Sequence, residues 1–253
     1  MAYDVVATGK TPALIVYLLD ISGSMSEPLD GAPKIEHVNR AIEQVLVRMV
    51  QRSTKGGVIS PRYRLAMIAY SDTPEDILGG VRTIADVAQL GTPTLSVSRT
   101  TDTHAAFMTA REILRRELAQ SAESERRPAP MVCHITDGQC TGSDPAPVAQ
   151  EIMRMSTPDG PVLVENIYVG PGLTVSPIGD AGEWPGVMSE GELADPYARK
   201  LFHMSSPLPE SYARVINESA GYALRPGARM LIPSSSGDLI ELAFAMSGAT
   251  PTA

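Results

Sequence analysis

Aromatic side chains make up only 5% of the 253 residues, so any core must be built from Leu, Ile, Val, Ala and Met. Cysteine is nearly absent too. Cys133, inside an apolar run, and Cys140, just after it, do not make a disulfide framework, and Cys133 reads as a small buried apolar residue. No apolar stretch is long enough to cross a membrane, and the start "MAYDVVATGKTP" lacks a basic segment followed by an apolar one. The expectation is a cytoplasmic protein with no membrane partner. Positive charge is in deficit as well. A formal net charge of -8 argues against nucleic acid as the main partner, because a phosphate backbone demands a basic surface. The one basic concentration, residues 111–127, alternates with Glu112, Glu117, Glu123 and Glu125, and reads as a solvated, ion-paired helix face.

What is present is ordinary for a globular chain: 43% hydrophobic and 20% charged residues. Strand and helix patterns alternate. Leu14 to Asp20 is a buried strand, and Ile35, Val38, Ala41, Ile42, Val45, Leu46 and Met49 then share one helix face. "YRLAMIAYS" is apolar on both faces, as an interior strand covered by helices should be. A short helix with an edge strand, a helix over about 102–119, the strand "MVCHITD", a helix opening at "SDPAPV" and the strand "PVLVENIYVG" follow. Residues 171–199 are rich in Gly, Pro and acids and read as a loop insertion, with Trp184 either exposed for a partner or folded back. "KLFHMSS" reads as a short strand, "PESYARVINESA" as a helix, "ARMLIP" as an edge strand and "SSSGDLIELAFAM" as a closing helix. No repeat or linker divides the chain. The order predicts one domain over 1–253, core about 12–245, with a three-layer, doubly wound α/β fold: a mainly parallel sheet with helices on both faces. In such sheets ligands bind beyond the carboxyl ends of the strands.

Two of those ends are conspicuously polar: "LLDISGS" and "HITDGQ". The first has one glycine where a dinucleotide fingerprint needs three. It also lacks the Gly-Lys-Ser/Thr of a phosphate loop and the G-x-S-x-G of a nucleophile turn. A metal site accounts for more. Asp20, Ser22 and Ser24 alternate, so on an extended segment all three point one way, with Gly23 supplying a tight turn. Carboxylate and hydroxyl oxygens suit a hard cation such as Mg²⁺. Asp137 ends a second strand, and Thr101 and Asp102 open the helix before it. Each has a plainer reading as a turn former or helix cap, yet together they bring oxygen donors to one edge of one sheet.

Asp20-Ile21-Ser22-Gly23-Ser24, "TDTHAAF" and "HITDG" resemble the von Willebrand factor A (vWA) domain and its metal-ion-dependent adhesion site (MIDAS). The resemblance implies Asp20, Ser22, Ser24, Thr101 and Asp137 as the site, Mg²⁺ as the ion (Mn²⁺ or Ca²⁺ as variants), and both acids often acting through water. The family's glycines before the Thr are replaced here by "SRTTDT", so Thr100 and Thr103 stand as alternatives to Thr101. With an open position on the ion, the expected partner is another protein that supplies an Asp or Glu carboxylate. This is binding chemistry. An enzyme would need a general base or nucleophile near the ion, and no residue claims that role. The chain looks most like stand-alone bacterial A domains of the tellurium-resistance TerY type, which implies an intracellular stress-response adaptor with kinase and phosphatase partners. The alternatives are an adaptor of an AAA+ ATPase (MoxR or chelatase type) and a metal-assisted phosphatase or hydrolase.

Overall fold

A computed structural model describes residues 3–98, 100–120, 126–138 and 142–250. Its main sheet contains β1 (Ala13–Asp20), β2 (Tyr63–Tyr70), β3 (Pro74–Asp76), β4 (Arg82–Thr83), β5 (Met131–Thr136), β6 (Leu163–Val169) and β7 (Leu231–Ser234). The order across the sheet is β7-β6-β5-β1-β2-β3, with β4 also on β2. The β7, β6, β5, β1 and β2 strands run parallel, and the short β3 and β4 run antiparallel at the edge. This is the three-layer α/β arrangement that the strand–helix alternation predicts.

The helices are α1 (Lys34–Ser53), α2 (Ile84–Leu90), α3 (Thr103–Ala119), α4 (Ala146–Arg154), α5 (Pro196–His203), α6 (Glu210–Ala220) and α7 (Gly237–Ser247). Every residue of β1 is buried, and its side chains divide by parity. Ile15, Tyr17 and Leu19 join the core under α1, α2, α6 and α7, while Leu14, Val16 and Leu18 join the core under α3 and α4. The α1 face forecast from the sequence is the buried one, from Ile35 to Met49. Asp102 caps α3 by accepting the Ala105 N–H at 2.9 Å. On the solvent side of α3, Arg111 reaches Glu151 at 2.8 Å and Arg115 reaches Glu112 at 3.2 Å, as an ion-paired face should. Glu123, Glu125 and Cys140 lie outside the described residues. Among the described residues, no helix is long and apolar enough to cross a membrane.

Two readings of the second half are corrected. "KLFHMSS" is not a strand: its first four residues finish α5, started by Pro196 and capped by Asp195, which accepts the Ala198 N–H at 2.8 Å. The stretch 171–199 is not a plain loop either. Leu173, Val187 and Leu193 pack with Ala198, Leu201, Phe202 and Leu231 in a third small core, and half-buried Trp184 packs against it.

Two titratable groups are sealed in the sheet. His134 sits between the Tyr70 hydroxyl, 2.7 Å from Nε2, and Asn166 Oδ1, 2.7 Å from Nδ1. Asn166 Nδ2 donates to Met204 O and Ser205 Oγ, which fixes its oxygen toward the ring and so assigns the imidazole proton to Nδ1. Burial pushes His134 down to about 4. Glu165 is fully buried, and neither carboxylate oxygen makes a hydrogen bond of normal geometry with a described residue; the adjacent Cys133 thiol is only a weak donor. Burial pushes Glu165 up to about 8.

The signs are opposite. Between pH 4.5 and 8 folded Glu165 keeps a proton that the unfolded chain has lost, so stability falls as pH rises through that window. Between pH 4 and 6.5 the unfolded chain holds a proton that folded His134 refuses, so stability falls as pH drops through that window. In urea unfolding, the advantage of Glu165→Gln over wild type should grow by roughly 4 kcal/mol from about pH 4.5 to about pH 8. A pH-independent difference would contradict this account.

Candidate metal centre

Asp20 closes β1 with no exposed surface. Its Oδ1 accepts the Ser22 N–H at 2.9 Å, and its Oδ2 accepts the hydroxyl of Thr136, the last residue of β5, at 2.7 Å. Burial raises the Asp20 carboxyl above its ordinary range; the bonds from Ser22 and Thr136 oppose that, and the neighbouring charge of Asp137 adds to it. Each oxygen thus accepts one bond from the chain itself and keeps a second lone pair.

Beyond Ile21 the chain does not stay extended. Ser22 leads into a 3-10 turn, Gly23–Ser26, pinned by the buried Met25. The turn folds Ser24 back, so that its Oγ lies 3.1 Å from Ser22 Oγ and donates to Asp137 Oδ1 at 2.7 Å. The two serines thus converge by a helical turn rather than by strand alternation. Gly23 is not among the glycines with left-handed backbone, so a positive φ is not what it contributes.

Asp137 follows β5 directly. Its second oxygen, Oδ2, accepts a bond from Lys34 Nζ at 2.8 Å, and the same ammonium reaches Glu27 Oε2 at 2.7 Å and the Ser24 carbonyl at 3.5 Å. Burial works against the Lys34 charge, but the bonds to Asp137 and Glu27 outweigh it and hold its pKa above the ordinary value. The Lys34 side chain is 9% exposed, against 63% for Glu27. A lysine opening a helix reads from sequence as a solvated residue, and Lys34 was not legible as part of the site; nor was Thr136.

Thr101 reaches the same edge on the segment before α3, buried, with Asp102 N–H bonded to the Ser71 carbonyl just past β2. Of the alternatives, Thr100 is exposed. Thr103 is buried in the first turn of α3 near the Tyr70 hydroxyl, and its Oγ1 makes no hydrogen bond of normal geometry with a described residue.

These donors fit a small hard cation. Among the described residues there is no cluster of three His, Cys, Asp or Glu side chains, so the set is two carboxylates and hydroxyls, oxygen throughout. Neighbouring ligands of an octahedral ion with bonds of 2.0–2.1 Å lie about 3 Å apart. The Ser22 and Ser24 oxygens, at 3.1 Å, have that spacing. One of the acids, Asp137, already attracts a cation, the Lys34 ammonium. Ser22, Ser24 and Thr101 would hold the ion through their hydroxyls, and Asp20 and Asp137 would supply negative charge beside it.

Residues 15–139, just under half the chain and spanning β1 to the turn after Asp137, match the family model of the von Willebrand factor type A domain. Comparison with curated proteins gives no match. Among solved structures, the chain is similar to the pilus adhesin SpaC from Lactobacillus rhamnosus GG (11% identical, covering 92% of this chain and 30% of that one, TM-score 0.57). It is also similar to the PilB minor pilin from Streptococcus sanguinis (10% identical, 92% and 60%, TM-score 0.53). The third is proximal thread matrix protein 1 of the mussel byssus (12% identical, 92% and 46%, TM-score 0.53). All three share the fold, and the chain spans less than two thirds of the length of each. Another structure of the mussel protein, with a zinc occupied MIDAS motif, aligns at a TM-score of 0.44 (18% identical, 66% and 38%), too weak to count toward the fold.

The ion pair makes a prediction about the metal-free protein. Lys34→Met leaves the Asp137 carboxylate buried without its cation and should lower stability by about 3 kcal/mol in urea unfolding. Glu27→Gln, which removes only the exposed, solvent-screened partner, should cost far less. Equal losses would show that the pairing with Asp137 is not the stabilising one.

Proposed function

We propose that this chain is a metal-dependent protein-binding module of the vWA type, rather than an enzyme. The observation that carries the reading is the hydroxyl pair of Ser22 and Ser24, 3.1 Å apart, beside Asp20, which accepts the Ser22 N–H, and Asp137, which accepts the Ser24 hydroxyl and the Lys34 ammonium. An ion held there, Mg²⁺ first and Mn²⁺ or Ca²⁺ as variants, is bound mainly through neutral oxygens. Most of its charge stays uncompensated and attracts an anionic ligand, the Asp or Glu carboxylate of a partner. The nearest imidazole of the sheet, His134, is neutral, buried and held between Tyr70 and Asn166, which suits structure and not proton transfer. SpaC, which has this fold, is named an adhesin, a role of the same kind.

The setting to test first is the one the TerY-like resemblance implies: a cytoplasmic stress-response adaptor with kinase and phosphatase partners. The AAA+ ATPase adaptor is the alternative. Affinity capture with wild type in Mg²⁺, in EDTA, and with Ser22→Ala identifies partners whose binding requires the ion.

The ion itself is tested by thermal unfolding. Millimolar Mg²⁺ or Mn²⁺ should raise the wild-type Tm by roughly 2–4 °C for each kcal/mol of binding free energy, and the rise should shrink in Ser22→Ala and Asp137→Ala. No rise in wild type would overturn the metal site. Turnover of phosphate or ester substrates that needs Mg²⁺ and disappears in Asp20→Ala would overturn the binding-module reading in favour of a hydrolase.

A further inference from the structure

The insertion after β6 folds a cleft of about 480 Å³ that the ion site does not use. Val175, Ile178 and Trp184 supply its apolar wall, and Asp180, Glu183 and Glu192 its charged rim; among the described residues no Lys, Arg or His lines it. Trp184 is half-buried, packed on the main core and the third small core, and it contributes to the cleft as well. Val175 is 66% exposed, unusual for a large aliphatic side chain.

The walls are built rather than loose. The Val175 N–H bonds the Glu192 carbonyl at 2.8 Å, and Thr174 pairs with Leu193. Two of the carboxylates are held by backbone donors: Asp180 Oδ1 by the Gly182 N–H at 2.8 Å, and Glu192 Oε1 by the N–H groups of Met188 and Ser189 at 3.1 and 2.8 Å. Glu183 is exposed and makes no hydrogen bond or ion pair with a described residue.

An indole, two aliphatic side chains and three carboxylates ask for a ligand with an apolar stem and a delocalised positive head. We infer that this cleft takes an arginine-bearing segment of a partner protein. Arginine fits better than lysine because its planar, weakly hydrated guanidinium both stacks on an indole and forks onto carboxylates. The cleft stands on the stretch that leaves the carboxyl end of β6, the edge where Asp20 and Asp137 also lie. The Tyr197 hydroxyl of α5 ties that stretch to the Gly138 carbonyl beside Asp137. The inference does not depend on the ion.

Trp184 is the single tryptophan of the chain, so its emission reports this cleft. The titrant is a blocked Gly-Arg-Leu-Arg-Gly peptide, added to the full chain in EDTA, with the Lys and Ser counterparts and agmatine as comparisons. The Arg peptide should give a saturable change that weakens at least about fivefold between roughly 50 and 300 mM salt. The Lys peptide should bind more weakly and the Ser peptide should give no response. Affinity should fall about tenfold in the double variant Asp180→Asn with Glu183→Gln, both surface positions whose folding is checked by an unchanged Tm. No saturable change, an equal response to the Ser peptide, or undiminished binding by the double variant overturns the inference. Agmatine binding as tightly as the peptide overturns it in favour of a small-amine site.

Discussion

The hydrogen bond from the Thr136 hydroxyl to Asp20 Oδ2 joins the ends of two neighbouring parallel strands, and the arrangement of the site depends on it. Together with the Ser22 N–H it holds a carboxylate that has no contact with solvent. A second carboxylate, Asp137, stands one residue beyond that same threonine. Two acids so placed need positive charge, and the chain supplies only part of it: Lys34 bonds to Asp137, while Asp20 receives neutral donors alone. The surplus negative charge beside a converging pair of hydroxyls is the physical basis for placing a divalent cation there.

Topology decides where that surplus forms. From β1 the chain moves to β2 on one side, and later to β5 on the other. The gap between β1 and β5 is therefore the place where the winding reverses, and the loops leaving the two strands part company there. Ser22 and Ser24 turn one way, Asp137 and Gly138 the other, and the segment carrying Thr101 arrives from beyond β2. The scaffold beneath is rigid: β1 is buried along its whole length, and His134 ties β5 to β2 through Tyr70 and to β6 through Asn166.

Much of this was legible in the residues. The strands β1, β2, β5 and β6 are mainly apolar runs, α1 shows its buried face by spacing, and the acids mark two strand ends. What escaped the sequence has local causes. The last residues of α5 present two adjacent large apolar side chains, Leu201 and Phe202, and look like strand when Asp195 is not recognised as the cap. The third small core draws Leu173, Val187 and Leu193 from stretches of Gly, Pro and acids that show no period. Ser24 reaches Ser22 through a 3-10 turn that alternation does not encode. Lys34 joins the site only because α1 begins where Asp137 can meet it, a relation between residues 103 positions apart. Glu165, beside Asn166 in a strand with both faces covered, gave no signal of which buried neighbours it would meet.

The central claim is that a divalent cation binds between Ser22 and Ser24. Its most direct test is anomalous diffraction from crystals of this chain grown with Mn²⁺. The account predicts one strong peak within about 2.2 Å of both serine hydroxyl oxygens, with Asp20 and Asp137 beside it. Mn²⁺ bound elsewhere, or Lys34 and Asp137 in the same place with no peak between the serines, would contradict it.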